Sequence, residues 1–179
     1  MNALMRDMPR PIAPIEVASI LRSAAASFAA EVRGLPETLL RWHPADGEWC
    51  VKEVLGHVIE AERRGFAGRI RIILGSTRPA LERWDQNAVA KARKDCERDA
   101  SELVAELSQM REAGAAMVAG LRPEDLARSG LHPVVGELTV ADLLQEWVHH
   151  DRNHLKQILT NVQAYAWPHM GNAQKFSAP

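Results

Sequence analysis

The sequence predicts an all-α protein built as a four-helix bundle, and three observations lead to this fold class. Four long segments carry apolar residues at helical spacing, no segment alternates as a convincing strand does, and the connections differ in length. A chain of 179 residues can bury the core of one domain without disulfides. We predict a bundle over residues 14–162, an N-terminal arm at 1–13 and a C-terminal tail at 163–179.

The first predicted helix runs from about Pro14 to Val32. Proline suits the first turn of a helix, because its missing N–H would have no partner there. Gly34 and Pro36 mark the end of the helix. Its predicted buried face consists of Ile20, Ala24, Phe28 and Val32.

The second predicted helix begins near Cys50, continues to about Leu74 and carries His57 among its apolar residues. The stripe around this histidine consists of Val54, Val58, Ala61 and Gly65. The imidazole is therefore expected to face inward. Glu53 lies about one turn before His57 and Glu60 about one turn after it, in the same sector of the helix.

The segment between the second and third helices is predicted to be an irregular crossover. Pro79, Trp84 and Asp85 disfavour a continuous element, although a short helix at Gln86–Lys91 fits the sequence. A third helix is predicted from Lys94, with apolar residues at alternating spacings of four and three. This pattern is typical of a helix packed nearly parallel to its neighbours. Its stripe is Cys96, Ala100, Leu103, Leu107, Met110, Gly114, Met117 and Leu121.

The fourth predicted helix, Val140–Leu159, carries two histidines four residues apart, His150 and His154, and Thr139 is its predicted N-cap. Residues four apart lie on one face of a helix. The apolar stripe that contains both histidines is completed by Leu143, Trp147 and Ile158. A buried imidazole without a hydrogen bond or a metal is costly, so the pair needs a partner.

We predict a metal site formed by His57, His150 and His154. In a helix bundle, facing helices can direct such side chains to a common ion in the core. Imidazole suits zinc, nickel, copper or iron, and three protein ligands leave positions open for water or substrate. Each motif alone has a simpler interpretation. A single inward histidine is often a core residue bonded to a backbone carbonyl, and two histidines four apart also arise by chance.

Two neighbours of the histidine pair stay outside this predicted ligand set. His149 points about 100° away from His150 and is expected to be exposed or to support a ligand from outside. Asp151 lies off the stripe, where it could orient an imidazole or simply lie at the surface. Asp151, Arg152 and Asn153 separate the two histidines. The His-Glu-x-x-His motif of zinc peptidases, in which the glutamate is the general base, is therefore absent.

Three segments carry a family resemblance: WHPADGEWCVKEVLGHVIEAE around the first histidine, WDQNAVAKARKD in the crossover, and GELTVADLLQEWVHHDRNHLKQI around the pair. They resemble the DinB/YfiT-like superfamily of small metal-binding four-helix bundles. The resemblance covers residues from about 14 to 161, and H-D-x-x-H-x-x-Q-I at His150–Ile158 is its strongest part. It implies an up-down-down-up bundle with a long crossover, a homodimer, and the metal ligands His57, His150 and His154. We expect a divalent transition metal there, zinc or nickel.

The resemblance implies a divalent-metal-dependent enzyme, and our first hypothesis is a low-molecular-weight thiol S-transferase. Family members include transferases that use bacillithiol, mycothiol or glutathione, so the expected partners are a small thiol and an electrophile. A metal with an open position can hold the thiol as the thiolate, the form that attacks. Two alternatives stay open: a hydrolase that uses metal-bound hydroxide, and a non-catalytic protein in which the metal only joins two helices. The residues expected to support the ligands or to transfer protons are Glu53, Glu60, Glu146 and Gln157.

Composition and charge argue against several other classes of protein. The chain has 22 Lys+Arg and 23 Asp+Glu, a net charge of -1, and lacks the basic block that binds nucleic acid or a membrane surface. No segment has the roughly 20 apolar residues of a membrane helix, and the N-terminus does not resemble a signal peptide. Cys50 and Cys96 fall in predicted helices, and we interpret them as reduced core residues rather than a disulfide. We therefore expect a cytoplasmic protein.

Overall fold

The structure is a computed structural model that describes residues 9–177 of the chain. Within these residues the α-helices are α1 (Pro14–Gly34), α2 (Glu37–Leu40), α3 (Val51–Glu60), α4 (Ala67–Gly75), α5 (Gln86–Arg93), α6 (Ala100–Ala119), α7 (Pro123–Leu126), α8 (Val140–Ala166) and α9 (Gln174–Ser177). The strands are β1 (Ser129–His132) and β2 (Gly136–Thr139). Residues 1–8 of the predicted N-terminal arm and 178–179 of the tail lie outside the described residues.

The long helices confirm the predicted four-helix bundle. α1, α6 and α8 are single long helices, whereas α3 and α4 together form the second long helix and are joined by a π-helical segment, Ala61–Phe66. α1 and α3 each pack against both α6 and α8. None of the helices in residues 9–177 combines the length and the apolar character that spanning a membrane requires.

Two clusters of buried side chains, one at each end of the bundle, give the directions of the helices. One cluster joins the starts of α1 and α8 to the ends of α4 and α6, through Val17, Val140, Ile73 and Val118. The other joins the ends of α1 and α8 to the starts of α3 and α6, through Val32, Ile158, Val51 and Leu103. α1 and α8 therefore run one way and the other two long helices run the opposite way. This is the predicted up-down-down-up topology.

The connection from α4 to α6, residues 76–99, runs the length of the bundle and is the predicted long crossover. Near its start, the backbone N–H of Leu81 donates to the carbonyl of Leu131 at 2.9 Å. Near its end, the buried Asp95 packs directly against Gly56 of α3, where an added Cβ would lie 1.8 Å from Asp95 Oδ2. The crossover can approach α3 this closely because position 56 carries no side chain.

Some local features differ from the sequence prediction. The expectation of no strand was wrong for one antiparallel hairpin, β1–β2, whose turn uses Gly136 at a φ of 80°. α6 begins at Ala100 rather than Lys94, because the Asp99 side chain accepts hydrogen bonds from the first-turn N–H groups and caps the helix. α8 continues to Ala166, past its predicted end.

The π-helical segment Ala61–Phe66 interrupts the second long helix, which the sequence predicts to be continuous. A π-turn bonds each N–H to the carbonyl five residues earlier, so it changes the direction of the side chains that follow. Phe66 stacks on Trp147, with ring centroids 5.3 Å apart, and meets His150 edge-on at 5.1 Å. The segment therefore covers one side of the histidine pair on α8.

Candidate metal centre

Three histidines from two helices converge in the bundle, and we call them the three-histidine centre: His57 of α3 with His150 and His154 of α8. One ring nitrogen from each lies within 4.8 Å of the other two. The Nε2 atoms of His57 and His150 are 3.1 Å apart. Nitrogens bound about 2.0–2.1 Å from one tetrahedral zinc ion lie about 3.3 Å from each other. The spacing of the imidazoles therefore fits a shared metal ion.

Local structure at the start of each helix sets where the two histidine-bearing helices begin. Thr139 Oγ1 accepts a hydrogen bond from the backbone N–H of Asp142 at 3.0 Å, and the Asp142 carboxylate accepts one from the N–H of Thr139 at 2.9 Å. This capping box sets where α8 begins. α3 begins in a similar way, because the Glu53 carboxylate accepts from the backbone N–H of Cys50 at 2.9 Å. Both ligand-bearing helices therefore start at defined residues.

Aromatic rings surround the centre and reduce its contact with water. His57 is 7% exposed, with the Trp49 ring 4.8 Å and the Trp84 ring 5.7 Å from its own. Burial, together with the neighbouring His154 and His150, lowers the pKa of His57 to about 3. Burial and His150 also lower the pKa of His154. Both imidazoles are therefore neutral near pH 7, and the neutral form is the one that binds metal.

The Nδ1 atoms of the three imidazoles differ in their hydrogen bonding. Gln157 Oε1 lies 2.9 Å from His154 Nδ1. Because an amide oxygen only accepts, this nitrogen carries the proton and leaves Nε2 free as a ligand. The Nδ1 atoms of His57 and His150 are buried and have no hydrogen-bond partner among the described residues. Asp151 Oδ1, at 3.9 Å from His150 Nδ1, is too distant for a hydrogen bond.

The three-histidine centre lies on the wall of a cavity of about 1120 Å³. All three imidazoles line this cavity, as does Trp84 from the crossover. Three protein ligands leave coordination positions for water or substrate, and the cavity gives small molecules access to them. The arrangement matches an open metal site rather than one closed by the protein.

The cavity also carries charged side chains of both signs. Arg69 and Arg83 line it together with the acidic Asp142 and Glu146. Arg69 donates from Nη2 to the backbone carbonyl of Glu82 at 3.1 Å, and its buried Nε has no partner among the described residues. Burial lowers the pKa of this guanidinium. Arg69 can therefore offer a free donor to an anionic group in the cavity.

The structure places the residues that were predicted to support the centre in different surroundings. Gln157 contacts His154, as described above, and Glu146 is exposed on the cavity wall. Glu53 instead caps α3, lies 2.9 Å from the ring of His43, and is not among the residues that line the cavity. Gln157 and Glu146 are thus placed to assist the centre, whereas Glu53 is engaged elsewhere.

Glu60 is buried and surrounded by arginines. Arg64 lies 2.7 Å and Arg93 2.6 Å from its carboxylate oxygens, and Arg63 also pairs with it. Burial alone would raise the pKa of Glu60, but the hydrogen bond from Arg64 and the charges of Arg63 and Arg93 outweigh it and lower the pKa. Glu60 does not belong to the cavity lining. Its carboxylate is therefore held by arginines rather than offered to a metal.

Asp151 belongs to a second buried group, the ion cluster, which consists of Glu62, Arg111 and Asp151. Arg111 Nε lies 3.0 Å from Glu62 Oε2, and its Nη atoms pair with the Asp151 carboxylate. Each of the three residues is 1% exposed, so the surface alternative for Asp151 was wrong. The pKa of Glu62 is raised to about 7, chiefly by burial; the charge of Arg111 opposes this shift and that of Asp151 adds to it.

Several residues at the site were not identified from the sequence as functional. Trp84 comes from the crossover, Phe66 from the π-helical segment and His132 from the β-hairpin. The hairpin and the π-helical segment were not predicted at all, and the path of an irregular crossover carries no periodic signal. The aromatic character of Trp84 was the only available clue, and it indicates packing as readily as a cavity wall.

Comparison with known proteins gives a family and a fold. A model of the DinB superfamily matches residues 20–158. The uncharacterized protein YuaE of Bacillus subtilis (strain 168) is 30% identical over 151 residues, 78% of this chain and 93% of that protein. A second protein of the same organism, named "Putative metal-dependent hydrolase YfiT", is 22% identical over 149 residues, 83% of each chain.

The solved structure of Bacillus subtilis YfiT superposes with a TM-score of 0.81 at 20% identity and covers 90% of this chain and 93% of that one. Its published description is an unusual four-helix bundle topology. The likeness shows a common fold, which agrees with the up-down-down-up arrangement described above. The superfamily match extends over all four long helices and includes His57, His150 and His154. The chain therefore belongs to the DinB superfamily.

Proposed function

We propose that this protein is a metal-dependent hydrolase whose divalent ion is held by His57, His150 and His154. The observation that carries the proposal is the convergence of three imidazoles on the wall of a cavity of about 1120 Å³. Catalytic zinc sites commonly use three protein ligands and keep a further position for water or substrate. The relative YfiT carries the same reaction class in its name.

The residues of this chain prepare that reaction in distinct ways. A divalent ion held by His57, His150 and His154 would lower the pKa of a bound water to about 7 and so supply a nucleophile at neutral pH. Burial keeps His57 and His154 neutral, so they can bind metal without first losing a proton. Gln157 holds the His154 ring with Nε2 free. Glu146, on the cavity wall, is the carboxylate we propose to accept a proton during attack.

The charges of the cavity indicate the kind of substrate. Arg69 and Arg83 line the same cavity as the three-histidine centre. The buried Nε of Arg69 has no partner among residues 9–177, and an anionic group such as a carboxylate would provide one. We therefore propose a substrate that carries an anionic group as well as the hydrolysable bond.

The test compares metal-loaded wild type with His154→Ala and His169→Ala. Each protein is given a panel of ester, amide and phosphoester substrates, in matched anionic and neutral forms. We expect hydrolysis by wild type, loss of hydrolysis in His154→Ala, and a preference for the anionic forms. His169 is exposed on the tail, so His169→Ala is the matched control and should hydrolyse like wild type. Wild type that retains metal but never exceeds the uncatalysed rate would refute the hydrolase.

A thiol S-transferase is the second candidate function, and the size of the cavity favours it. A volume of about 1120 Å³ is large enough for a small thiol and an electrophile together. Glutathione and bacillithiol carry carboxylates, which Arg69 and Arg83 could bind. A panel of small thiols with a reactive electrophile separates the two functions. Conjugation without hydrolysis would favour the transferase, and hydrolysis without any dependence on thiol would favour the hydrolase.

The non-catalytic alternative is less well supported. A purely structural metal would be expected to have a closed shell, for which Glu60 is the candidate fourth ligand. The carboxylate of Glu60 is instead bonded to Arg63, Arg64 and Arg93, away from the cavity lining. An open centre beside a cavity is better suited to chemistry than to joining two helices.

A further inference from the structure

A second group of metal-binding side chains lies outside the three-histidine centre, and we call it the His43–Cys50–Cys96 cluster. The two sulfur atoms and one ring nitrogen of His43 all lie within 4.8 Å of one another. The three residues come from different segments. His43 lies in the connection between α2 and α3, Cys50 immediately precedes α3, and Cys96 lies in the 3-10 turn Asp95–Glu97 that ends the crossover.

The surroundings of the cluster contain a further potential ligand. The Glu53 carboxylate lies 2.9 Å from the Nε2 atom of His43 and accepts a hydrogen bond from the backbone N–H of Cys50 at 2.9 Å. Cys50 is fully buried, whereas Cys96 is partly buried and its thiol contacts the carbonyl of Arg41 at 3.7 Å. Both cysteines are free thiols in the structure. Two sulfurs and one imidazole thus meet at one point, and a carboxylate lies beside that imidazole.

We propose that His43, Cys50 and Cys96 bind a second divalent metal ion of the zinc type. Two thiolates and an imidazole are a ligand combination that selects zinc among the common divalent ions, and Glu53 is placed to complete four-coordination or to orient His43. Binding replaces two S–H bonds by two metal–sulfur bonds and releases two protons to solvent. No oxidant or reductant is needed.

The chemistry of the cysteines agrees with a metal rather than with a reactive thiol. Burial raises the pKa of the Cys50 thiol, so without metal this side chain is a poor nucleophile. A thiol that coordinates a metal is deprotonated outright, since the charge of the ion outweighs the cost of burial. Proton release also makes the proposed affinity increase with pH.

A metal bound at this site would cross-link the crossover to the rest of the bundle. Its ligands join the α2–α3 connection, the start of α3 and the end of the crossover. Cys50 follows Trp49, whose ring lies 4.8 Å from that of His57. A metal bound here would therefore fix one aromatic wall of the three-histidine centre, although it would not face the cavity itself.

Cobalt(II) provides a test that the three-histidine centre cannot disturb. Thiolate ligands give cobalt(II) a charge-transfer absorption in the near ultraviolet, and imidazoles do not. Metal-free, fully reduced wild-type protein is titrated with cobalt(II) and the band is recorded. We expect the band in wild type and in His57→Ala, and its loss in Cys96→Ser. His169→Ala should keep the band and serves as the histidine control.

A second variant keeps the test decisive if Cys96→Ser fails to fold. His43 is exposed, so His43→Ala should retain the helical circular dichroism of wild type. We expect its affinity for cobalt(II), read from the same band, to fall by at least roughly 10-fold, the loss that even an outer partner of a ligand causes. The proposal is overturned if reduced wild type shows no band, or if the band persists unchanged in Cys96→Ser. It is also overturned if the two cysteines form a disulfide that metal and reductant together do not replace.

Discussion

Two groups of buried polar side chains lie side by side in the bundle and differ in how they are partnered. In the ion cluster, the guanidinium of Arg111 stands between the carboxylates of Glu62 and Asp151. In the three-histidine centre, like groups face one another, and no carboxylate among the described residues bonds to the rings. His150 and Asp151 are consecutive on α8, so one helix supplies both groups.

This difference distinguishes a group that is paired by charge from one that needs a ligand. Opposite charges within the ion cluster offset each other away from the cavity lining. The three imidazoles cannot offset one another in this way, because a proton on His150 or His154 disfavours protonation of His57. Of the two groups, only the three-histidine centre lines the cavity. We therefore expect the ion cluster to contribute to stability and propose that the three-histidine centre binds metal.

The largest expected effect is the loss of metal from the three-histidine centre. In a Cys96→Ser background, which removes the second proposed site, reconstituted protein should carry about one divalent ion per chain. His154→Ala should carry almost none, because two imidazoles do not hold the ion through purification. His149→Ala is the control and should keep its metal, since the His149 ring bonds to Asn153 at 2.8 Å instead. Metal analysis after removal of unbound ion measures this, and equal metal content in His154→Ala would contradict the assignment.

The next largest effect concerns the ion cluster. Arg111→Met keeps much of the side-chain volume but leaves two buried carboxylates without a cation, which should cost about 3–5 kcal/mol of unfolding free energy. Arg22→Met is the matched control: Arg22 pairs with Glu112 at the surface, and its loss should cost about 0–1 kcal/mol. Urea denaturation of metal-free protein measures both. Equal stability of the two variants would show that the ion cluster does not support the fold.

The two groups also differ in how far the sequence predicts them. His150 and His154 were identified because α8 is one regular helix, where a spacing of four fixes a common face. The ion cluster was not identified, because Arg111 comes from another helix and Glu62 lies in the π-helical segment. A π-turn changes the direction of the side chains that follow it, but the 3.6-residue spacing of apolar residues in the sequence does not reveal the turn.

The regularity of the helices also explains which parts of the fold the sequence predicts. Apolar stripes on long helices predict the bundle well, because the apolar residues that repeat at helical spacing are the ones that are buried. The path of the crossover depends instead on single contacts, such as the fit of Asp95 against Gly56. The His43–Cys50–Cys96 cluster depends on that path, so its three members show no recognisable metal-binding spacing in the sequence.

The pH dependence of stability should have opposite signs in the two groups. The folded pKa of Glu62, about 7, lies above its ordinary value of 4.5, so this residue stabilises the fold below pH 4.5 and loses that contribution as the pH rises to 7. The folded pKa of His57, about 3, lies below 6.5, so stability is instead lost as the pH falls from 6.5 towards 3.

Glu62→Gln isolates the first of these slopes. The variant should lose the decline between pH 4.5 and 7, and relative to wild type it should gain up to roughly 3 kcal/mol across that window. Glu112→Gln, at an exposed position, is the control. Urea denaturation in the presence of a chelator, repeated at several pH values, measures the difference. A pH profile unchanged by Glu62→Gln would mean that Glu62 is ionised in the fold throughout this range.

The smallest expected effect lies at the edge of the three-histidine centre, at Gln157. Its Oε1 atom fixes the proton of His154 on Nδ1 and so presents Nε2 to the metal. Gln157→Leu should weaken metal affinity by roughly 10-fold, the low end of what losing such a partner costs, because His154 itself remains. Gln157→Glu should bind at least as tightly as wild type, since a carboxylate makes the imidazole a stronger donor. Gln163→Leu, at an exposed position later on α8, is the control and should not change the affinity. Competition with a chromophoric chelator in the Cys96→Ser background measures all three, and if Gln157→Leu and Gln157→Glu weaken binding equally, Gln157 acts through packing rather than through the proton on His154.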